Sequence, residues 1–440
     1  MAVDAVDPTP SPRATPRATG TSSTAAPTVA LQRDRSASSN ATSANYSSAS
    51  SYRLDTSVAT TSVSSRASLS SLRDSLPENP HVYDFAEIRA ATNNFLARRH
   101  SSSSSSASPS WRCSLRLRDV IVFQRKFRRS METSELREKL SVICKSHHKS
   151  IIKLLGASIS GHHIYLVFEF MAGANLSECL RSPRNPDFTV LSTWMSRMQI
   201  ARDLADGLDY IHNNTGLDVN LVHKHVKSSS VVVTEPLFNA KICHFGTAEI
   251  CGETAGIKAK DVKRFGEISP ASAVELERSD SLVRQFEGVT GYMSPEFLLT
   301  GLATQKSDVY AFGVVILELL SGKEPVKYVF DRKSGDYRKI SVISTATEAV
   351  SGGSDEGGGG GEGVEGRLRR WVDRRLSDSF PVEVAEKLTR VALECVDADP
   401  DKRPNMRRVA GKMSKMYLES RIWSARVRVP TEISVSFTPR

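Results

Sequence analysis

Apolar positions carry no regular spacing over the first eighty residues and then settle into strand and helix periods along most of the remaining chain. Residues 1–79 are dominated by Ser, Thr, Ala and Pro with isolated arginines. That composition cannot bury enough apolar surface to offset the entropy of ordering, so a disordered tail is expected there. Phe85, Ile88 and Ala91 then recur at helical spacing. Val120-Ile121-Val122-Phe123 and the run from Ile164 to Phe170 are β-branched and aromatic stretches of strand length. Between them Leu136, Leu140 and Ile143 form the stripe of a helix over 135–146. Beyond Gly173 the helices lengthen, most clearly over 193–212, where Trp194, Met198, Ala201, Leu204, Leu208 and Ile211 stay in register.

This order predicts an α+β fold in two lobes. A small strand-rich lobe covers about 80–170, a mainly helical lobe about 171–420, and a short tail 421–440. A serine-rich stretch at about 100–110 and a Gly/Glu-rich stretch at about 351–366 interrupt the pattern and predict flexible loop insertions.

Composition narrows the class. With 440 residues, 39% of them hydrophobic, part of the chain can build a sizeable core. No apolar run is long enough for a signal peptide or a bilayer span. Met1-Ala2 also lacks the Met-Gly start that myristoylation needs. A soluble cytoplasmic protein is expected, with the inner face of the plasma membrane reached through a partner or a basic patch. Six scattered cysteines, without C-x-x-C pairs, are expected to be reduced thiols. The net charge of +10 has one source in 116–129, where Arg116, Arg118, Arg125, Lys126, Arg128 and Arg129 face only Asp119. Such a run can touch anionic lipid at the membrane periphery, or simply be a solvated face. No nucleic-acid partner is expected.

The motifs carry more. Leu221-Val222-His223-Lys224-His225-Val226-Lys227-Ser228-Ser229-Ser230, followed by Cys243-His244-Phe245-Gly246, resembles the H-R-D-L-x-x-x-N catalytic loop and D-F-G turn of protein kinases. His225 stands at the place of the loop Asp, Ser230 at that of the Asn, and His244 at that of the metal-binding Asp. Met293-Ser294-Pro295-Glu296 resembles the A-P-E motif, and Arg403 occupies the position of the Arg that pairs with its Glu. Asp308-Val309-Tyr310-Ala311-Phe312-Gly313 resembles the helix start that anchors the catalytic loop. Phe85 to Phe95, ending in A-T-x-x-F, resembles the helix that precedes the kinase domain in plant receptor-like kinases. The resemblance spans about 80–420 and is to the plant receptor-like and receptor-like cytoplasmic kinases.

What the resemblance implies for chemistry is mostly loss. No glycine occurs between Gly20 and Gly156, so the loop around 98–112 lacks the residues that let backbone N–H groups approach phosphates. Phe123 falls at the phosphate-binding Lys position, and Lys126 substitutes only if the strand is bulged. Lys139 falls at the partner Glu position, unless a one-residue slip restores Glu138. Without hard oxygen ligands at 230 and 244, normal magnesium binding is expected to be lost and no metal is assigned. His225 replaces the base, and although a histidine of pKa about 6.5 can act as one, it has little to act on without metal and phosphate clamps. A zinc site from His223, His225, His244 and Cys243 is a weaker reading. Lys227 remains at the position of the lysine that contacts the γ-phosphate. The hinge, with Phe168, Glu169 and Phe170, also remains.

A pseudokinase is therefore expected, acting as a phosphorylation-regulated scaffold or partner of active receptor-like kinases or their substrates. The alternative is an atypical Ser/Thr kinase with residual transfer. A third reading has nucleotide as a structural ligand at the hinge. No cofactor is expected, ATP binding without normal magnesium being the exception to test. Ser269, Ser272, Ser279 and Ser281 are candidate phosphoacceptors. The sequence leaves the oligomeric state undefined.

Overall fold

The sheet of the first lobe closes on a single glycine. A Cβ at Gly156 would lie 1.9 Å from the His81 carbonyl oxygen, so only glycine lets the entering chain pair there. The computed structural model describes residues 80–100, 108–127, 131–182, 191–216, 221–234, 238–253, 291–332, 335–351 and 363–427. The expected N-terminal tail, most of both loop insertions, Arg128, Arg129 and the four candidate serines lie outside them.

The first lobe runs β1 (His81–Val82), α1 (Phe85–Ala91), β2 (Ser110–Leu115), β3 (Arg118–Lys126), α2 (Thr133–Cys144), β4 (Leu154–Ser160) and β5 (His163–Glu169). Its five strands lie in the order β1-β4-β5-β3-β2, with β1 parallel to β4 and the other pairs antiparallel. Strand alternation divides β3. Val120 and Val122 are fully buried under α1 in a cluster with Ile88, Tyr83, Leu155 and Val167. Ile121, Phe123 and Arg125 therefore face the other way, into the cleft between the lobes. The side chain of Asp84 caps α1 by accepting from Ala86 N at 3.1 Å.

The second lobe follows with β6 (Gly173–Asn175), α3 (Leu176–Arg181), α4 (Trp194–Asp209), β7 (Val231–Thr234), β8 (Ala240–Ile242), α5 (Thr247–Ile250), α6 (Pro295–Thr300) and α7 (Gln305–Ser321). A hairpin of β9 (Val326–Phe330) and β10 (Tyr337–Ser341) leads to α8 (Val342–Val350), α9 (Val364–Trp371), α10 (Val382–Cys395) and α11 (Met406–Val427). Helix α7 is the hub: from Asp308 to Ser321 all but Tyr310 are buried. A helix apolar on all sides must be wrapped by others, and α4, α8 and α10 pack around it. The expected tail at 421–440 begins inside α11, which continues to Val427 because Ser420 and Ser424 are fully buried and Trp423 packs on the core.

The described part of the basic run, residues 116–126, does not form one face. Arg116 is committed to Glu87 at 2.8 Å and lies over the Tyr83 ring, while Arg125 turns into the cleft. All six cysteines are free, and all but Cys113 are buried.

Arg197 is the most deeply buried charge of α4. It donates to Leu191 O at 2.7 Å, Leu319 O at 2.6 Å and Asp373 Oδ2 at 2.7 Å. Asp373→Ala would strand that guanidinium, and the expected loss is about 3–5 kcal/mol, read from the denaturant midpoint. A loss below about 1 kcal/mol would show that the pair does not anchor α4 to the turn after α9.

Candidate functional site

The loop from Leu221 to Ser230 owes its shape to one carboxylate. Asp308, at the start of α7, accepts from Lys224 N through Oδ1 at 2.7 Å and from His223 N through Oδ2 at 2.7 Å. The His212 ring donates to Oδ2 at 3.0 Å from the other side. The His223 ring continues the scaffold: Nε2 donates to Cys243 O at 2.9 Å and Nδ1 accepts from His225 N at 3.2 Å. These two bonds need a neutral ring protonated on Nε2. Burial, followed by the weaker opposing pull of Asp308, pushes the His223 pKa down to about 4.

The ladder between β7 and β8 brings the two halves of the site together. Val231 pairs with Ile242, and Cys243 N donates to Ser230 O at 2.9 Å, which places Ser230 against the residue before His244. Lys224 and His244 both adopt left-handed backbone, at φ 67° and 69°. Such residues are held in place only where their surroundings over-determine them.

The cleft above is filled with rings. Phe123 meets His244 edge-on with centroids 4.6 Å apart, and Phe168 lies 5.8 Å from Phe123 and 5.9 Å from His244. Phe123 thus packs against His244 and Phe168. The β3–β5 register is continuous from Val120 to Lys126, which excludes the bulge that would swing Lys126 inward; Lys126 is exposed at the strand's outer end. Glu138 is exposed too, and Lys139 turns inward to Glu249 Oε1 at 3.3 Å and Glu249 O at 3.2 Å. Gly246 seats this turn on α2, since a Cβ there would come within 2.5 Å of Ile143. Of the hinge residues, Glu169 is exposed and Phe170 is covered by the Arg112 guanidinium 3.7 Å from its ring centre.

The residue that sequence reasoning missed is Glu253. Its carboxylate is buried, with Oε2 3.0 Å from His225 Nε2 and 3.3 Å from Lys224 Nζ, and Lys224 also donates to its carbonyl at 3.2 Å. The His225 contact is short but off the line of a good hydrogen bond. Burial works to raise the Glu253 carboxyl, but His225, Lys224 and Arg125 outweigh it and hold the pKa at about 2. Burial pushes His225 and His244 down, the latter also through the charges of Arg125 and Lys227. Arg125 was likewise overlooked as a site residue, although it shares a strand face with Phe123. Lys227 lines a cavity of about 50 Å³ with Lys224, His225 and Tyr292. No cluster of three or more metal-ligating side chains occurs among the described residues.

Glu296 and Arg403 complete the frame with a two-pronged ion pair at 2.8 and 2.7 Å. The family model for the protein kinase domain matches residues 121–413. The chain belongs to the protein kinase family. The chain is 33% identical over 350 residues to LysM domain receptor-like kinase 3 of Arabidopsis thaliana, covering 79% of this chain and 48% of that protein. It is 30% identical over 346 residues to Protein LYK5 of the same plant, covering 79% and 45%. The chain thus spans about half the length of these curated relatives. Among solved structures, the pseudokinase domain of BIR2, an immune regulator of the RLK/Pelle family, matches with a TM-score of 0.55 at 21% identity, over 83% of this chain and 98% of that one. Among the described residues no helix is long and apolar enough to cross a membrane.

The titrations have a definite sign. His223 has a folded pKa below its unfolded value, so the unfolded chain takes up the proton first and stability falls as pH drops from about 6.5 towards 4. Glu253 and Glu296, both held near 2, lose their contributions only below about pH 4.5. The unfolding midpoint of the kinase domain should therefore fall in two stages, and Glu253→Gln should lower stability at pH 7 by on the order of 2–3 kcal/mol. Unchanged stability in that variant would show that Glu253 does not dock on the loop.

Proposed function

We propose that this kinase domain is a pseudokinase, a catalytically impaired binding module that docks on an active receptor-like kinase or its substrate and is regulated by phosphorylation. The observation that carries the reading is Glu253 seated on His225. The position of the catalytic base bears an imidazole, and an acidic side chain of the same chain lies within 3.0 Å of it. A base must reach the hydroxyl proton of its substrate, and here a carboxylate stands in the way.

Three other features support the same conclusion. Ser230 and His244 offer a hydroxyl and an imidazole in place of the oxygen ligands that suit magnesium. Phe123 fills the space of the phosphate lysine. Lys139 pairs with the activation segment, leaving no Lys–Glu bridge between β3 and α2. Residues that act as a unit in phosphoryl transfer are not compensated one at a time. The kinship with receptor-like kinases supports a protein partner of that class, and the cytoplasmic face of the membrane as the place to meet it.

Thermal unfolding with ATP in the presence of Mg²⁺ or Mn²⁺ tests the proposal, because a ligand that binds the native state must stabilise it. No metal-dependent rise in the midpoint at millimolar ATP is expected, and no transfer to generic Ser/Thr substrates. A metal-dependent rise together with phosphotransfer abolished by Lys227→Ala would establish the atypical kinase instead.

A further inference from the structure

Helix α11 carries apolar side chains on two opposite sides. Its inner face, including Met413, Met416, Ser420 and Ser424, is buried against the rest of the lobe. The outer face is polar where the helix begins and turns apolar towards its end. There Leu418 is 57% and Ile422 55% exposed, and Ala425 is exposed beside them. Steps of four and three residues put these positions on one stripe along the helix. Apolar side chains scattered singly over a surface are ordinary, but a contiguous set rimmed by charge marks a place that meets something.

The rim is cationic. Between Met406 and Val427 stand Arg407, Arg408, Lys412, Lys415, Arg421 and Arg426, against Glu419 as the one acid. Lys387 takes that acid at 2.9 Å, and Lys412 is taken by Glu394 at 2.6 Å. Arg408, Lys415, Arg421 and Arg426 are exposed, and none has an ion-pair partner among the described residues. With about 100° of turn per residue, Arg421 lies on one side of the stripe and Lys415 and Arg426 on the other. Cations flanking an apolar line, on stems long enough to reach past it, suit an anionic layer. The inner face decides between lipid and protein. A protein groove that takes up a basic amphipathic helix encloses much of its circumference, and here the inner half is pinned, with Trp194 Nε1 donating to Ser420 Oγ at 2.8 Å. A flat anionic surface needs only the stripe.

We propose that the last three turns of α11 dock the domain on an anionic lipid surface, with Leu418 and Ile422 entering the headgroup layer and Lys415, Arg421 and Arg426 meeting the lipid charges. The contact lies apart from the basic run at 116–126, which does not form one face. It rests on the proposed meeting place at the cytoplasmic side of the membrane and is independent of whether the domain transfers phosphate. Each cation near such a surface strengthens binding by about fivefold. A stripe of this size gives a reversible, salt-sensitive contact that works together with a protein partner.

The test is flotation of the full chain with vesicles of phosphatidylcholine containing about one third phosphatidylserine, against vesicles of phosphatidylcholine alone. The chain is expected to float with the anionic vesicles only. Partition should fall by about thirtyfold in Arg421→Ala with Arg426→Ala, and by about tenfold in Leu418→Ser with Ile422→Ser. These side chains are exposed, so each variant should unfold at the parent's midpoint; should the serine pair fail to fold, Leu418→Gln alone takes its place. Arg338→Ala with Lys339→Ala removes the same charge from the exposed β9–β10 hairpin and should leave partition within about threefold of the parent. An equal loss in the hairpin variant, or no loss in the serine pair, would show that net charge alone acts and would overturn the stripe. Absence of flotation with either vesicle overturns it too, and self-association abolished by the serine pair would then assign the stripe to a second copy of this chain. None of these outcomes touches the pseudokinase reading, which the ATP titration decides.

Discussion

The carboxylate of Asp308 is the fixed point from which the rest of the site is measured. It sits at the start of the most enclosed helix of the fold and holds two consecutive backbone N–H groups of the catalytic loop. A charge-assisted bond to a buried backbone is about twice as strong as a neutral one, and this carboxylate makes two of them together with a contact to His212. The loop's path is therefore set by this carboxylate and the His223 ring rather than by the side chains of His225 and Ser230. His225, Ser230 and His244 are thus carried on a backbone whose left-handed turns at Lys224 and His244 are fixed from outside.

Around this frame the charges have changed places. Helix α2 carries a lysine and the activation segment answers with Glu249; the catalytic loop carries Lys224 and His225, and the segment answers with Glu253. Both acids belong to one stretch of seven residues after Gly246, so a single turn of chain is tied to both lobes. That turn acts as a structural strut between Lys139 and the Lys224–His225 loop. A buried pair of this kind contributes little over a well-packed apolar contact, but breaking it is costly. Its effect is to favour one arrangement.

How much of this was legible beforehand differs by layer. Apolar spacing placed α2, α4 and β3 to within a few residues, because packing against a core imposes those periods. The frame motifs were legible because Asp308, Glu296 and Arg403 make contacts that no other side chains satisfy. Phe123 could be assigned from strand position, and the unbroken β3–β5 ladder explains why Lys126 was not a substitute. Glu253 was not legible, because its role comes from a turn of irregular chain whose path depends on Gly246 and Ile143. One clue was available: two lysines and two histidines at or beside acidic positions require a nearby carboxylate. The end of α11 was misjudged for a similar reason, since the burial of Ser420 and Ser424 is a tertiary fact that their polarity conceals.

The reversed pairing has an evolutionary consequence. If His225 alone returned to aspartate, it would meet Glu253; if Lys139 alone returned to glutamate, it would meet Glu249. Like charges a few ångströms apart are disfavoured, strongly beside buried Glu253 and more weakly beside half-exposed Glu249, so either single replacement gives a less stable protein. Placing an acid at either position needs a paired change in its partner, so the charge arrangement locks itself in.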